Sequence, residues 1–249
     1  MSVRLLSAGD AAVTVEFGSD ITPELVERVA AVEHAIDAAR ERGKLVGVVE
    51  TVPTFRSLCV VFDPLLTDRP ALDAALLALV AQPTQPRTRA SRRWRLPVCY
   101  GGDFGVDIAA VAEATGVSPD AVVAQHAATD FTVYLLGFMP GLPFMGMIPE
   151  ALAMPRRSVP RVRVPAGSVA IAGRLSVIYP WESPGGWHLL GRCPVPLFDA
   201  SAASPVLLAP GDRVRFEAVG IDRYDALQDE LRTGALHAKA FLEPGEVVA

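Results

Sequence analysis

Four arginines fall within the eight residues from Arg156 to Arg163, in a chain whose net charge is −5. Arg161 and Arg163 are two apart, so on a strand they share a face. Two guanidiniums side by side can hold a carboxylate or phosphate through paired, charge-assisted hydrogen bonds. On a free strand edge the same charges would serve only to keep other sheets from pairing. A second segment, Tyr179-Pro180-Trp181-Glu182-Ser183-Pro184-Gly185-Gly186-Trp187-His188, mixes polar groups with glycine. Gly185 and Gly186 let backbone amides approach a ligand, where they could stabilise developing oxyanion charge. Glu182 and His188 are candidates to move a proton. So is His126, with Asp130 a possible orienting group. A lone histidine set between Trp187 and Leu189, as His188 is, is more often a packed, satisfied residue.

A third segment, Gly137 to Gly146, holds three glycines and two prolines among Phe138, Met139, Phe144 and Met145. Glycine and proline dictate an irregular path. Phe138, Pro140, Gly141 and Phe144 then form either a pocket wall or docking loop, or a tight plug at one end of a barrel. Other chemistry is missing from the sequence. There is no Gly-x-x-x-x-Gly-Lys phosphate loop, no Gly-x-Ser-x-Gly elbow and no cluster with metal-ligand spacing. Mild acidity and the lack of a basic stripe interleaved with aromatics argue against nucleic acid as a partner.

Positioning these segments takes two kinds of element. Alternation from Ala11 to Phe17 predicts a strand. Thr22-Pro23 opens a helix whose stripe is Leu25, Val29, Val32, Ile36 and Ala39. Val46–Val52 and Ser57–Phe62 read as a hairpin, and a second helix begins near Pro70. Gln82 to Arg89, rich in proline and polar residues, reads as a linker. It divides an N-terminal α+β domain, residues 1–85, from a second domain, residues 86–249. A strand from Trp94 to Tyr100 could still complete the first sheet. The second part has helices near Ile108–Ala114 and after Ser118-Pro119. Short β-type pieces at turn-punctuated spacing follow, as in a barrel or sandwich, and then a helix near Asp222–Leu231. The 249 residues are 51% apolar and 20% charged, enough for a sizeable core. No apolar leader follows Met1, and the longest apolar run, Ala74 to Ala81, is too short to span a bilayer. Three widely spaced cysteines make no disulfide framework. Together these predict a cytoplasmic protein with no membrane partner.

An ordered series of motifs carries a family resemblance. The series is Gly137-Phe138-x-Pro140-Gly141-x-Pro143-Phe144-x-Gly146, Pro155-Arg156-Arg157-x-x-Pro160-Arg161, Val164-Pro165-Ala166-Gly167-Ser168-Val169-Ala170-Ile171-Ala172-Gly173, Ile178-Tyr179-Pro180, Ser183-Pro184-Gly185-Gly186-Trp187 and Gly191-Arg192. It resembles the allophanate hydrolase subunit 1 family (carboxyltransferase domain, subdomain C and D), which includes KipI and the 5-oxoprolinase subunit PxpB. The resemblance implies a small N-terminal α+β sandwich domain before a cyclophilin-like β-barrel. It implies a subunit 2 partner of the KipA/PxpC type, a third PxpA-type component, ATP as co-substrate and a small amide substrate. The activity implied is the opening of 5-oxo-L-proline to L-glutamate. Alternatives are an allophanate hydrolase or urea carboxylase subunit, or a KipI-like inhibitor of a sensor histidine kinase. On this reading Arg161, Arg163, Ser168, Gly185 and Gly186 bind substrate, His126, His188 and Glu182 handle protons, and no metal is bound. Where the family usually has Gln-Thr-Gly before Ile-Tyr-Pro, this chain has Leu175-Ser176-Val177, which predicts altered specificity if the glutamine lines the site and a purely structural change if it only closes a turn.

Overall fold

Strands in the first unit arise where apolar and polar residues alternate, and helices where a capping side chain precedes a 3.6-residue stripe. The computed structural model describes residues 3–82 and 91–244, and the chain divides into two units, 1–89 and 90–249. The expected junction between residues 85 and 86 lies outside the described residues.

The first unit runs β1 (Arg4–Ser7), β2 (Ala12–Glu16), α1 (Pro23–Glu41), β3 (Val48–Pro53), β4 (Ser57–Phe62) and α2 (Arg69–Val80). Its antiparallel sheet has the order β1-β2-β4-β3. Val13 and Val15 of β2 and Leu58, Val60 and Phe62 of β4 share one core with the predicted α1 stripe and with Leu72 and Leu76 of α2. Thr22 accepts the Leu25 N–H at 3.4 Å and Asp68 accepts the Ala71 N–H at 2.8 Å, so both helices start on a side-chain cap.

In the second unit, β5 (Arg93–Tyr100) precedes α3 (Ile108–Thr115) and α4 (Pro119–Ala128). There follow β6 (Phe131–Leu136), β7 (Pro143–Gly146), β8 (Arg161–Val164), β9 (Ser168–Ala172), β10 (Leu175–Ile178), β11 (Ser183–Gly185), β12 (His188–Arg192), β13 (Arg213–Ala218) and α5 (Ile221–Thr233). Seven strands close into a barrel in the order β10-β7-β6-β13-β5-β12-β9, while β8 and β11 form a separate two-stranded ribbon. The fold class is therefore α+β, a small mixed unit followed by a closed barrel.

Two expectations change. Trp94–Tyr100 does not complete the first sheet. It runs parallel to β13 over six residue pairs and antiparallel to β12, filling the barrel with Trp94, Leu96 and Val98. The indole N–H of Trp94 donates to Asp212 at 3.1 Å, which ties β5 to the turn ahead of β13. Nor is the Gly137–Gly146 segment a plug, because its second half is strand β7, hydrogen-bonded between β6 and β10.

Closure of the barrel depends on β12 meeting β5, through the pairs Gly191↔Tyr100 and Arg192↔Cys99. A Cβ on Gly191 would lie 2.6 Å from the Cys99 carbonyl oxygen, inside contact distance. Gly191→Ala is thus expected to destabilise the barrel unit by about 1–3 kcal/mol, the usual cost of overpacking. Urea unfolding followed by tryptophan fluorescence measures it; an unchanged midpoint would show that the β12–β5 seam yields.

Candidate functional site

Around the β8–β11 ribbon the arginine and glycine segments come together. β11 pairs with β8, opposing Gly185 to Arg161 and Ser183 to Val164. Just upstream, the Arg157 N–H donates to the Gly186 carbonyl at 2.8 Å. His188 Nε2 meets the Pro155 carbonyl at 2.9 Å, so residues 155–157 lie alongside residues 186–188. Trp187 bridges to the remaining motif. Phe144 packs on its ring at 5.9 Å between centroids, and the Arg156 guanidinium stands 5.8 Å from the ring centre. Gly185 is needed for packing, since a Cβ there would come 2.5 Å from the Tyr179 hydroxyl.

At the centre is Asp107, which the sequence alone does not single out. It occupies the N-cap position of α3, yet its side chain makes no capping bond. Instead it is buried and accepts from Arg161 Nη1 and Nη2 at 2.8 and 2.7 Å, from Arg157 Nη1 at 3.1 Å and from the Leu189 N–H at 2.7 Å. Burial alone would raise its pKa. The hydrogen bonds from Arg161 and Leu189 and the charges of Arg161 and Arg157 outweigh that and hold it below the ordinary carboxylate value. The available signal was an aspartate directly ahead of an apolar helix, which reads as a cap and conceals this role.

Arg161 and Arg163, expected to clamp an anion together, meet different carboxylates. Arg161 is locked on Asp107, and Arg163 forks onto Glu182 at 2.9 and 2.8 Å, so neither presents a free guanidinium. Glu182 is held ionised on the surface, chiefly by the Arg163 hydrogen bond, and that is no state for a proton donor. Ser168 is fully buried on β9, its hydroxyl without a partner.

His126, expected to move a proton, is placed in the barrel core. Fully buried, it stacks on Phe216 at 5.0 Å and lies against Phe131 at 5.2 Å. Nδ1 meets the Tyr100 hydroxyl at 2.8 Å and Nε2 the Ser176 hydroxyl at 3.0 Å. Burial pushes its pKa down to about 3, so it stays a neutral link within the barrel core. Asp130 does not orient it; that carboxylate is near Arg213 and Arg93 at 3.7 and 4.0 Å. The Leu175-Ser176-Val177 substitution lies on β10, where Ser176 sits between Met145 and Ile171 of the core. Its hydroxyl satisfies His126, so the middle position of that tripeptide is structural.

The loop around Phe138 is strained. Phe138 adopts φ +67° with its ring 69% exposed, and Pro140 is exposed. Gly141, at φ +79°, backs onto Phe198, whose ring meets half-exposed Trp181 at 5.8 Å. Among the described residues no His, Cys, Asp or Glu group is placed to hold a metal, and no helix is long and apolar enough to cross a membrane.

A closed barrel bearing an arginine-and-glycine ribbon, preceded by a small α+β unit, defines the class of protein. The chain belongs to the carboxyltransferase domain, subdomain C and D, family, matched over residues 3–208. It is 37% identical to the B subunit of the 5-oxoprolinase of Bacillus subtilis (strain 168), over 92% of this chain and 99% of that protein. The solved structure of TTHA0988 superposes with a TM-score of 0.71 at 36% identity, covering 88% of this chain. This chain spans only 40% of the length of that one. The Kluyveromyces lactis urea amidolyase matches at TM-score 0.80 over 94% of this chain and 16% of its own, but at 22% identity, a likeness of fold alone.

Two outcomes are expected. Asp107→Ala strands two guanidiniums and an N–H and should cost about 3–5 kcal/mol in urea unfolding, while Glu182→Ala, at the exposed pair, should leave the midpoint nearly unchanged. For His126, the unfolded imidazole binds a proton near pH 6.5 and the folded one only near 3. Its contribution is therefore complete above pH 6.5 and is lost as pH falls towards 3, at up to about 1.4 kcal/mol per pH unit. His126→Gln should flatten unfolding free energy against pH between about 6.5 and 4.5, where carboxylates add little; an unchanged slope would rule His126 out.

Proposed function

We propose that this chain is the B subunit of an ATP-dependent 5-oxoprolinase, a cytoplasmic hydrolase that opens 5-oxo-L-proline to L-glutamate and works only with a subunit 2 partner and a third component. The observation that carries this reading is the 37% identity to the Bacillus subtilis 5-oxoprolinase B subunit across 99% of that protein. Urea chemistry is not favoured, because the urea amidolyase likeness at 22% identity extends to the fold alone.

A lactam resists attack because its nitrogen donates into the carbonyl. ATP, when bound to the complex, supplies the phosphoryl group that makes the carbonyl oxygen a leaving group. The residues here fit an anionic ligand: Arg156, Arg157 and Arg161 surround Asp107 and Trp187 with more positive than negative charge. The part assigned to this chain is to bind the substrate carboxylate at the ribbon, beside the Gly185-Gly186 turn, and to orient the ring.

The second assignment is docking of the partner on the Phe138 loop. A non-glycine residue in the left-handed region costs about 1–2 kcal/mol, and such strain gathers where function requires it. Here it holds an aromatic ring out in solvent, in a patch with Trp181 and Phe198 of the kind that anchors interfaces. That TTHA0988 continues well beyond the length of this chain supports a partner that some relatives carry in the same polypeptide.

Co-expression with a subunit 2 protein and the third component, followed by assay of glutamate and ADP, tests the activity. Release of both from 5-oxo-L-proline, dependent on every component, is expected. Turnover of urea or allophanate with none of 5-oxo-L-proline would overturn it. For docking, Phe138→Gly should leave urea stability within about 1 kcal/mol, since relief of strain offsets added chain entropy. Affinity for the partner should fall at least about tenfold; unchanged co-purification would remove the loop from the interface.

A further inference from the structure

Three groups at the junction of residues 155–157 with residues 186–188 are left over once the protein's own contacts are counted. The first is a charge. Asp107 carries one negative charge and faces two guanidiniums; Arg161 takes both of its oxygens and Arg157 shares one of them. One positive charge is thus uncompensated, with Arg156 over Trp187 adding another beside it. The second is a donor: Arg157 Nε–H is buried and has no hydrogen-bond partner. The third is an acceptor. A carbonyl oxygen can only accept, so the His188 Nε2 bond to Pro155 places the imidazole hydrogen on Nε2. In the neutral imidazole Nδ1 is then a lone pair, and this atom is buried and without a partner on a residue only 8% exposed. Buried polar atoms left unsatisfied are rare and call for an explanation.

We infer that this junction is the specificity-determining subsite for an α-amido carboxylate, a ligand whose carboxylate and amide N–H are carried on the same carbon. The carboxylate lies against Arg157, taking up the surplus charge and the Nε–H, and the ligand N–H donates to His188 Nδ1. 5-Oxo-L-proline is the cyclic member of this class, so the inference rests on the proposed activity and deepens it. The same pairing rejects urea, which has no carboxylate to meet Arg157. Arg161, with both amino groups on Asp107, is a positioning residue, and Arg157 rather than Arg163 reads the anion.

The test uses the complex with its partner subunit and measures binding by calorimetry with three probes: 5-oxo-L-proline, 2-pyrrolidinone, which lacks the carboxylate, and N-methyl-5-oxo-L-proline, which lacks the N–H. Arg157→Gln should weaken 5-oxo-L-proline about tenfold or more while leaving 2-pyrrolidinone unchanged, and His188→Gln should weaken 5-oxo-L-proline but not the N-methyl compound. Both variants binding all three probes as the parent does would overturn the subsite. Because Arg157 also holds Asp107, a second measurement avoids substitution. The chain has four histidines, and the ¹⁵N resonance of His188 Nδ1 in the unsubstituted complex should shift on adding 5-oxo-L-proline but not 2-pyrrolidinone. No shift at saturation would equally end the proposal. Glutamate production with unaltered variant affinities sinks the subsite and spares the activity. The predicted binding pattern without ATP-dependent turnover does the reverse.

Discussion

A carboxylate taken out of water stays charged only where opposite charge and hydrogen-bond donors replace its hydration. Asp107 meets that condition with two arginines and one backbone amide, and those donors come from separate stretches of chain. Arg157 lies on the segment before the ribbon, Arg161 on β8 and Leu189 on β12, while Asp107 itself heads α3. One ionic cluster therefore ties a helix start, a barrel strand and the ribbon together. Removing Asp107 would leave Arg157, Arg161 and the Leu189 N–H without their shared acceptor, so the ribbon's position is strongly specified.

The second polar network has no comparable surplus. Tyr100, His126 and Ser176 satisfy one another inside the barrel, and burial keeps the imidazole neutral. The two networks use the same residue types with opposite outcomes. His126 has both ring nitrogens occupied and serves the fold, whereas His188 has one occupied and one free. Hydrogen-bond accounting separates the two histidines where residue type cannot.

Much of the fold was legible because its elements follow local rules. The Thr22 cap, the stripe of α1, the alternation of β2 and β4 and the glycine-punctuated strands of the second unit all lie where period and cap chemistry put them. The exceptions depend on distant partners. Trp94–Tyr100 has strand character wherever it is placed, and only β13 and β12 make it a barrel strand. Pro143–Gly146 looks like a turn by composition and becomes a strand because β6 and β10 flank it. Glycine and arginine marked segments that lie together in the fold but not the pairing within them. Asp107 lies about fifty residues from Arg157 in sequence, and nothing local announces that contact.

By itself, then, the sequence determined element types, the two-part organisation, the family and the stretches in which chemistry could reside, because propensity, capping and motif spacing are properties of neighbouring residues. Only the tertiary structure decided which charges are spent and which remain. Arg163 is neutralised by Glu182, Arg161 by Asp107, and Arg157 retains an unbonded Nε–H. Coulombic and hydrogen-bond energies depend on distance in space, and sequence separation carries no information about that until the chain has folded.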